Sequence, residues 1–328
     1  NTIIECAFDT ETRLWNVMRT RYDKTYEYKV LKKAQYGNDV MVANSIWTSM
    51  HVPVTEQMLK EHYTNPIDDT VEDDMYYRDD MKRETRLLQP VYDFHNRIKD
   101  NLYSRYIQKG DTLLELAVGR GGDLQKWIKA QPSRVVGMDI SLSNLASPVD
   151  SASKRYLQVK AERRVPPVLL IQGDFTQHPL FEQSDKYMPI LLGAQQGHTD
   201  YLKQFEGLKA FDDVSCQFAM HYACESEATF RKFAQNVRDS CKQYFFGTCS
   251  DGQSIYSLLL GKRTHLFSQD GKVAGEYTKE YEDKETWTEE FGMPVKVFLE
   301  SFVKPETEYL VPFGKVVEIM ESMGFELE

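Results

Sequence analysis

The sequence is poor in cysteine and has no long apolar run. Its five cysteines are scattered through 328 residues without a C-x-x-C pair, which argues against a zinc site. The odd number favours free thiols in a reducing compartment. No apolar stretch approaches the length of a membrane span, and the N-terminus lacks the basic-then-apolar pattern of a signal peptide. We therefore expect an intracellular protein.

Positive charge is also in deficit. Forty Lys and Arg residues face 50 Asp and Glu residues, and the net charge of −10 argues against a general nucleic-acid coat. Any RNA contact must therefore use a local basic patch. The densest candidates, for which a solvated helix face is the alternative, are Lys154, Arg155, Lys160, Arg163 and Arg164.

The order of predicted elements indicates an α/β fold with a doubly wound, mostly parallel sheet. A helix over 87–106 precedes five predicted strands, at 112–118, 134–139, 167–173, 211–218 and 243–248. Helices are predicted at 122–130, 142–160 and 225–241. Residues 263–304 are predicted to form antiparallel hairpins inserted in the sheet. An amphipathic helix is expected at 313–323, with Gly324 just after its end.

A glycine turn after the first of these strands is the most informative local feature. Residues 113–123 read LLELAVGRGGD, a buried strand that runs into a turn and then a helix. This arrangement brings backbone N–H groups and a helix N-terminus to a ligand. Asp139 ends the next strand, 20 positions after Gly119, where an acid can accept both ribose hydroxyls of an adenosine cofactor. The pattern favours S-adenosylmethionine, although an ordinary α/β turn and a nicotinamide dinucleotide site, whose G-x-G-x-x-G is absent, stay open.

Polar and aromatic residues also end the later strands. Asp174 follows the third strand and can accept the adenine amino group or cap the next turn. Residues 216–222 read CQFAMHY, in which Gln217 can hold the amino-acid part of a cofactor. There Phe218 and Tyr222 can stack on rings and His221 can donate to a purine oxygen. Core packing is the alternative for this cluster.

Several of these motifs resemble those of the mRNA cap guanine-N7 methyltransferases. The glycine turn resembles their D-L-G-C-G-K-G-G-D, and residues 216–222 resemble C-Q-F-x-x-H-Y. Residues 95–99 (HNRIK) are similar to N-N-W-x-K, 247–252 (GTCSDG) to G-T-x-P-D-G, and 305–311 (PETEYLV) to P-E-F/Y-L-V. The resemblance runs from about residue 87 to residue 328.

This resemblance implies a Rossmann-like class I fold, S-adenosylmethionine as cofactor and S-adenosylhomocysteine as product. Lys99 would meet the methionine carboxylate, and Glu308 would read the guanine N1–H and amine. The implied cofactor residues are Lys99, Glu115, Gly119, Gly121, Asp123, Asp139, Asp174, Gln217, Phe218 and Tyr222. The implied cap residues are His95, His221, Tyr222, Ser250 and Glu308. No metal and no general base is expected, because guanine N7 carries a free lone pair.

The N-terminal segment carries a second resemblance. Residues 15–24 (WNVMRTRYDK) resemble the W-x-x-x-R-x-R-x-D-K that ends RNA guanylyltransferases, in their oligonucleotide-binding-fold domain. Two arginines two apart on a strand point to one side and suit a triphosphate. The nucleophile motif K-x-D-G is absent. We therefore predict a guanylyltransferase remnant at 1–64, an acidic linker at 65–86 and a methyltransferase domain at 87–328.

This order resembles the multifunctional capping enzymes of large DNA viruses. It implies capped RNA as substrate, upstream triphosphatase and guanylyltransferase domains in the same polypeptide, and a location in host cytoplasm or virion. The first residue, Asn1, also suggests a piece of a longer chain. A stimulatory subunit is an open question, and no membrane partner is expected.

Departures from the family pattern leave alternatives open. Ala117 replaces the first loop glycine, His95 an asparagine, and Ser250 a proline that packs against the cap. The family ends in a further strand with an aromatic that lines the guanine pocket, and the sequence stops at Glu328, before where that strand is expected. A catalytically silent module that binds caps or partners is the main alternative, and a methyltransferase with another substrate is a third.

Overall fold

The computed structural model describes residues 2–9, 14–32, 86–269, 271–284 and 286–328. Contacts divide the chain into two units, Asn1–Asp69 and Thr70–Glu328. The predicted acidic linker at 65–86 lies outside the described residues, except for Arg86.

The first unit contains a hairpin followed by a helix. Strands β1 (Ile4–Asp9) and β2 (Leu14–Thr20) pair antiparallel, and helix α1 spans Tyr22–Lys29. Arg19 and Arg21 both donate to the same oxygen of Glu5, at 3.0 and 3.2 Å, and Arg21 also pairs with Asp23 at 2.8 Å. The two arginines of the motif thus lie on one side of the hairpin, neutralised by carboxylates.

A parallel five-stranded sheet forms the centre of the second unit. Its strands are β3 (Thr112–Leu116), β4 (Arg134–Asp139), β5 (Val168–Gln172), β6 (Phe211–Gln217) and β7 (Cys241–Thr248). Their order is β5-β4-β3-β6-β7, and all neighbours run parallel. The order reverses beside β3, which is where doubly wound sheets bind ligands at the carboxyl ends of their strands. The predicted α/β class and all five predicted strands are confirmed.

Helices connect and cover these strands. They are α2 (Gln89–Tyr106), α3 (Leu124–Ala130), α4 (Leu142–Ala146), α5 (Ala152–Glu162), α6 (Met188–Leu191), α7 (Asp200–Lys203), α8 (Met220–Ala223), α9 (Glu227–Ser240), α10 (Gly252–Leu259) and α11 (Phe313–Ser322). One core cluster includes Phe230 and Phe233 of α9, and a second includes Tyr103 and Trp127. Both clusters pack against β3, whose five residues are all buried, so its carboxyl end is rigidly held.

The predicted helix at 142–160 is wrong as a single element. The structure has α4 and α5, separated by an extended turn at Ser147 and Pro148. Proline disfavours helical geometry at the residue before it, which ends α4. Ser151 then starts α5 by accepting a hydrogen bond from the Lys154 N–H at 3.3 Å.

The predicted antiparallel region forms a sheet of its own and is not inserted in the parallel one. It consists of β8 (Thr264–Gln269), β9 (Lys272–Lys279), β10 (Pro294–Leu299) and β11 (Glu306–Tyr309), in the order β11-β10-β9-β8. Its buried side chains, among them Val295 and Val297, pack with Tyr256 and Leu259 of α10. This separate core explains why the hairpins do not join the parallel sheet. The last strand carries Glu308.

Candidate cofactor and substrate site

The glycine turn after β3 adopts a left-handed backbone at three positions. The φ angles of Ala117, Gly119 and Gly121 are 55°, 53° and 73°. A left-handed alanine costs on the order of 1 kcal/mol. The turn therefore accommodates the methyl group of Ala117, but with some backbone strain. A Cβ on Gly121 would lie 3.3 Å from the backbone of Ala152, which lets the start of α5 pack closely on the turn.

Asp139 fixes this turn to the end of β4. Its carboxylate accepts hydrogen bonds from the N–H of Gly119 at 2.7 Å and the N–H of Ser141 at 3.0 Å. The Asn144 amide donates to the same carboxylate at 3.2 Å. The acid predicted to take the ribose therefore also sets the position of the loop that would approach the cofactor.

Lys99 and Asp123 form a buried ion pair beside the turn. The Lys99 ammonium lies 2.7 Å from Asp123, and Lys126 contacts the same carboxylate at 2.8 Å. Lys126 also donates to Asn96 at 3.0 Å. Two ammonium groups on one carboxylate leave a net positive charge, which suits the carboxylate of an amino acid.

Glu115 is buried on β3, just before the glycine turn. It is 1% exposed and accepts hydrogen bonds from Tyr103, from Trp127 at 3.2 Å and from Ser215 at 3.1 Å. Burial and the nearby charge of Asp123 raise its pKa to about 7. Its oxygens are thus engaged by three side chains, and the direct cofactor contact that the resemblance implied stays a prediction.

The Glu115 network reaches Gln217 through Ser215. The Gln217 amide donates to the Ser215 hydroxyl at 2.9 Å, and Thr248 donates to the Gln217 carbonyl oxygen at 3.0 Å. A primary amide has a second N–H and a second lone pair. Gln217 is thus held in place with hydrogen-bonding capacity left for a ligand.

Phe218 and His95 pack against each other, with tilted rings, at the carboxyl end of β6. Their ring centroids lie 4.5 Å apart at 35°. Phe218 has φ 51°, a rare conformation for a bulky residue, held by its N–H bond to the Thr248 carbonyl at 2.8 Å. Burial and the charge of Lys99 lower the pKa of His95, so its imidazole is neutral at pH 7.

His221 and Glu308 face each other across the gap between α8 and β11. The His221 Nε2 lies 3.6 Å from a Glu308 oxygen, and neither ring nitrogen of this 4% exposed histidine has a hydrogen-bond partner. Burial lowers the pKa of His221 to about 3. Burial and Glu306 raise the pKa of Glu308 to about 8. A buried imidazole without hydrogen-bond partners is costly unless a ligand completes its bonds.

The remaining predicted residues occupy the same edge. The Asp174 carboxylate accepts from the Thr176 N–H at 2.8 Å and its hydroxyl at 2.6 Å, and so caps a turn. Tyr222 is half-buried, with its ring centroid 4.2 Å from that of His221. Ser250 is half-buried just before α10. A Cβ on Gly252 would lie 2.4 Å from the Val311 carbonyl oxygen, so glycine lets α10 begin against the segment that follows β11.

Sequence reasoning missed the residues that support this site. In the sequence, Tyr103 and Trp127 look like core aromatics. Only the hydrogen bonds that they donate to the Glu115 carboxylate distinguish them. It also missed the pairing of Arg120, 6% exposed in the glycine turn, with Asp150 at 3.5 Å. Four of the five basic-patch candidates are engaged internally. Lys154 donates to two backbone carbonyls, Arg155 pairs with Asp150, Arg163 donates to Gln125, and the Lys160 ammonium lies 4.8 Å from the centre of the Tyr201 ring.

Comparison with known proteins identifies the family. Residues 58–328 match the mRNA (guanine-N(7))-methyltransferase domain, and residues 1–60 match the mRNA capping enzyme C-terminal domain. The chain belongs to the mRNA (guanine-N7)-methyltransferase family. The resemblance read from the motifs is thereby confirmed, and with it S-adenosylmethionine as the cofactor of the fold. In the described part of the chain, no helix is long and apolar enough to cross a membrane.

Two relatives show how far the similarity extends. The chain is 28% identical to a probable mRNA-capping enzyme of Acanthamoeba polyphaga mimivirus, over all of this chain and 30% of that protein. It is 30% identical to the mRNA cap guanine-N(7) methyltransferase of Saccharomyces cerevisiae, over 75% of this chain and 53% of that protein. The chain thus spans between 30% and about half of the length of these relatives.

Solved structures of methyltransferases are more distant. A S-adenosylmethionine-dependent methyltransferase from Clostridium acetobutylicum has 13% identity and a TM-score of 0.39, covering 77% of this chain and 83% of that one. The CcbJ methyltransferase from Streptomyces caelestis has 14% identity and a TM-score of 0.42, covering 69% and 77%.

Proposed function

We propose that this chain transfers a methyl group from S-adenosylmethionine to N7 of the guanine in GpppN-capped RNA. The observation that carries this proposal is the closed polar pair His221–Glu308, which lies at the same sheet edge as the glycine turn and Asp139. An imidazole whose ring nitrogens lack hydrogen-bond partners, with a carboxyl group 3.6 Å away, matches the carbonyl oxygen and the donors on the pairing edge of guanine. Family membership supports the same reaction.

The residues predicted to bind the cofactor fit S-adenosylmethionine. Asp139 presents a carboxylate at the end of β4 for vicinal hydroxyls, and the Lys99–Asp123–Lys126 cluster offers excess positive charge for a carboxylate. Gln217 would take the amino-acid end and Asp174 the adenine. When bound, the cofactor supplies an electrophilic methyl group on its sulfonium.

The reaction needs no general base from this chain. Guanine N7 has a free lone pair, so the protein must hold the base in line with the methyl group and exclude water. His221 is neutral and can donate one N–H to the purine oxygen. Glu308, once ionised, would accept the guanine N1–H and amine and would stabilise the positive charge that develops on the base.

The surrounding polypeptide fits a capping enzyme. The similarity of residues 1–60 to the C-terminal domain of capping enzymes supports a chain in which triphosphatase and guanylyltransferase domains precede this one. We propose that such upstream domains deliver the capped RNA end.

A methylation assay tests the function against the silent-module alternative. Labelled S-adenosylmethionine should methylate GpppA at N7, while uncapped triphosphate RNA should accept no label. Glu308→Ala should lose activity with GpppA, and Glu318→Ala, an exposed acid on α11, is the matched control that should retain it. Binding of GpppA without methyl transfer by the wild-type chain would favour the silent module.

A further inference from the structure

Three aromatic side chains form a continuous cluster at the mouth of the site. Phe218, His95 and Phe94, here called the aromatic cluster, run from the end of β6 to the outer face of α2. The His95 centroid lies 4.5 Å from that of Phe218 and 6.1 Å from that of Phe94. Phe94 is 52% exposed, which is unusual for a ring so close to a functional site.

The cluster lies beside residues that are predicted to hold the cofactor. His95 is one helical turn before Lys99, whose ammonium binds Asp123 next to the glycine turn. Phe218 follows Gln217 directly, and its left-handed backbone is held by Thr248. Strain of this kind on a bulky residue persists where the surroundings impose it, and it is concentrated at ligand-binding positions.

The exposed end of the cluster also carries a cation. Arg97 is exposed, lies three residues after Phe94 on the same helix surface, and makes no ion pair with any residue that the structure describes. An exposed ring with a free cation beside it matches the way proteins bind single-stranded nucleic acid, by stacking bases and neutralising phosphates. A surface that docks another protein would need only exposed apolar side chains, such as those of Val91 and Ile98. It would not need the neutral imidazole of His95.

We propose that the aromatic cluster binds the first transcribed nucleoside of GpppN-RNA, with its base stacked on the exposed ring of Phe94. This inference rests on the proposed function, because it places the second base of the cap structure next to the guanine pocket. Stacking is tolerant of base identity, so any nucleobase is accepted, and purines are favoured by their larger rings. Arg97 would meet the phosphate that follows this nucleoside.

The test compares two ligands of equal charge. One is GpppA, and the other is its analogue in which adenine is replaced by hydrogen, leaving an abasic ribose. Dissociation constants are measured by calorimetry with S-adenosylhomocysteine present, for the wild-type chain and for Phe94→Ala, Phe94→Trp and Val91→Ala. Val91 is the matched control, since it is exposed on the same helix but lies outside the cluster.

Wild-type protein should bind GpppA at least about fivefold more tightly than the abasic analogue, given the size of base–aromatic stacking. Phe94→Ala should reduce that ratio towards one without changing the affinity for the abasic analogue, whereas Phe94→Trp and Val91→Ala should keep it. The inference is overturned if the ratio of the two affinities is unchanged in Phe94→Ala, or if it is one in the wild type. Either result is expected if this face docks a protein instead. Affinity for S-adenosylhomocysteine reports folding of each variant.

The two proposals fail separately. If GpppA binds with the expected ratio but is not methylated, the proposed reaction is wrong and the stacking site stands. If GpppA is methylated but the ratio does not depend on Phe94, only the stacking site is wrong.

Discussion

Glu308 should make cap capture depend on pH in a defined direction. Burial and the charge of Glu306 raise its pKa to about 8, so in the free protein at pH 7 the carboxyl is mostly protonated. Only the ionised carboxylate can accept both the guanine N1–H and the amine. At one pH unit below the pKa about a tenth of the molecules are ionised, which costs about 1.4 kcal/mol of cap binding.

The kcat/KM for GpppA should therefore rise about tenfold between pH 7 and pH 9, because it reports the ionisation of the free protein. The kcat should stay nearly flat, since no general base acts in the bound complex. Groups that face Glu308 do not produce this profile: His221 has a pKa of about 3, and burial raises the pKa of Tyr277 to about 12.

Two variants check that assignment by steady-state kinetics across pH 6–9.5. Glu308→Gln should lower kcat/KM and flatten its pH profile, because an amide does not titrate. Glu306→Gln removes the neighbouring charge that raises the pKa of Glu308, so its profile should keep its shape and move to lower pH. A wild-type kcat/KM that is flat from pH 7 to pH 9 would refute the reasoning, as would a Glu308→Gln profile that still rises.

Two further predictions concern the cofactor acid and a buried carboxyl. Asp139→Ala should weaken S-adenosylmethionine binding by at least about 100-fold, because about two charge-assisted hydrogen bonds of roughly 1.5–3 kcal/mol each are lost; unchanged affinity in calorimetry would contradict the ribose assignment. Asp213 is fully buried on β6, and burial together with Asp111 raises its pKa from 3.8 to about 8. The folded state therefore binds this proton more tightly than the unfolded state does. The contribution of the protonated carboxyl to the free energy of unfolding is fully present below about pH 4 and is lost as the pH rises towards 8. Asp213→Asn should be more stable than wild type at pH 8 by about 1 kcal/mol or more and should show a flatter dependence of unfolding free energy on pH, measured by urea denaturation; identical pH dependence in both proteins would count against a protonated Asp213.

The parts of the site that lie at strand ends could be predicted from the sequence. Buried strands are short apolar runs, and the residue after each run must lie at one edge of a parallel sheet. This rule placed Gly119, Asp139, Asp174 and Gln217 along one edge without knowledge of the strand order.

Properties set by tertiary contacts could not be predicted in this way. The sequence pattern does not distinguish a carboxylate that faces a ligand from one whose oxygens are engaged by Tyr103, Trp127 and Ser215. The cofactor contact implied for Glu115 therefore stays a prediction. The left-handed backbone of Phe218 has no local signal, because no glycine or asparagine marks it. The elevated pKa of Glu308 likewise depends on burial against α8, which carries His221 and is distant from Glu308 in the sequence.

The Glu115 network explains how distant segments can form one rigid site. Its carboxyl group joins α2 through Tyr103, α3 through Trp127 and β6 through Ser215, and Ser215 in turn holds Gln217. Of these three elements, α2 carries Lys99, α3 follows the glycine turn, and β6 leads to Phe218. A reaction that relies on proximity needs this kind of rigidity, since a small displacement between cofactor and base costs rate directly. The hydrogen bonds of Glu115 thus hold α2, α3 and β6 in fixed relative positions, which is the rigidity that the proposed methyl transfer requires.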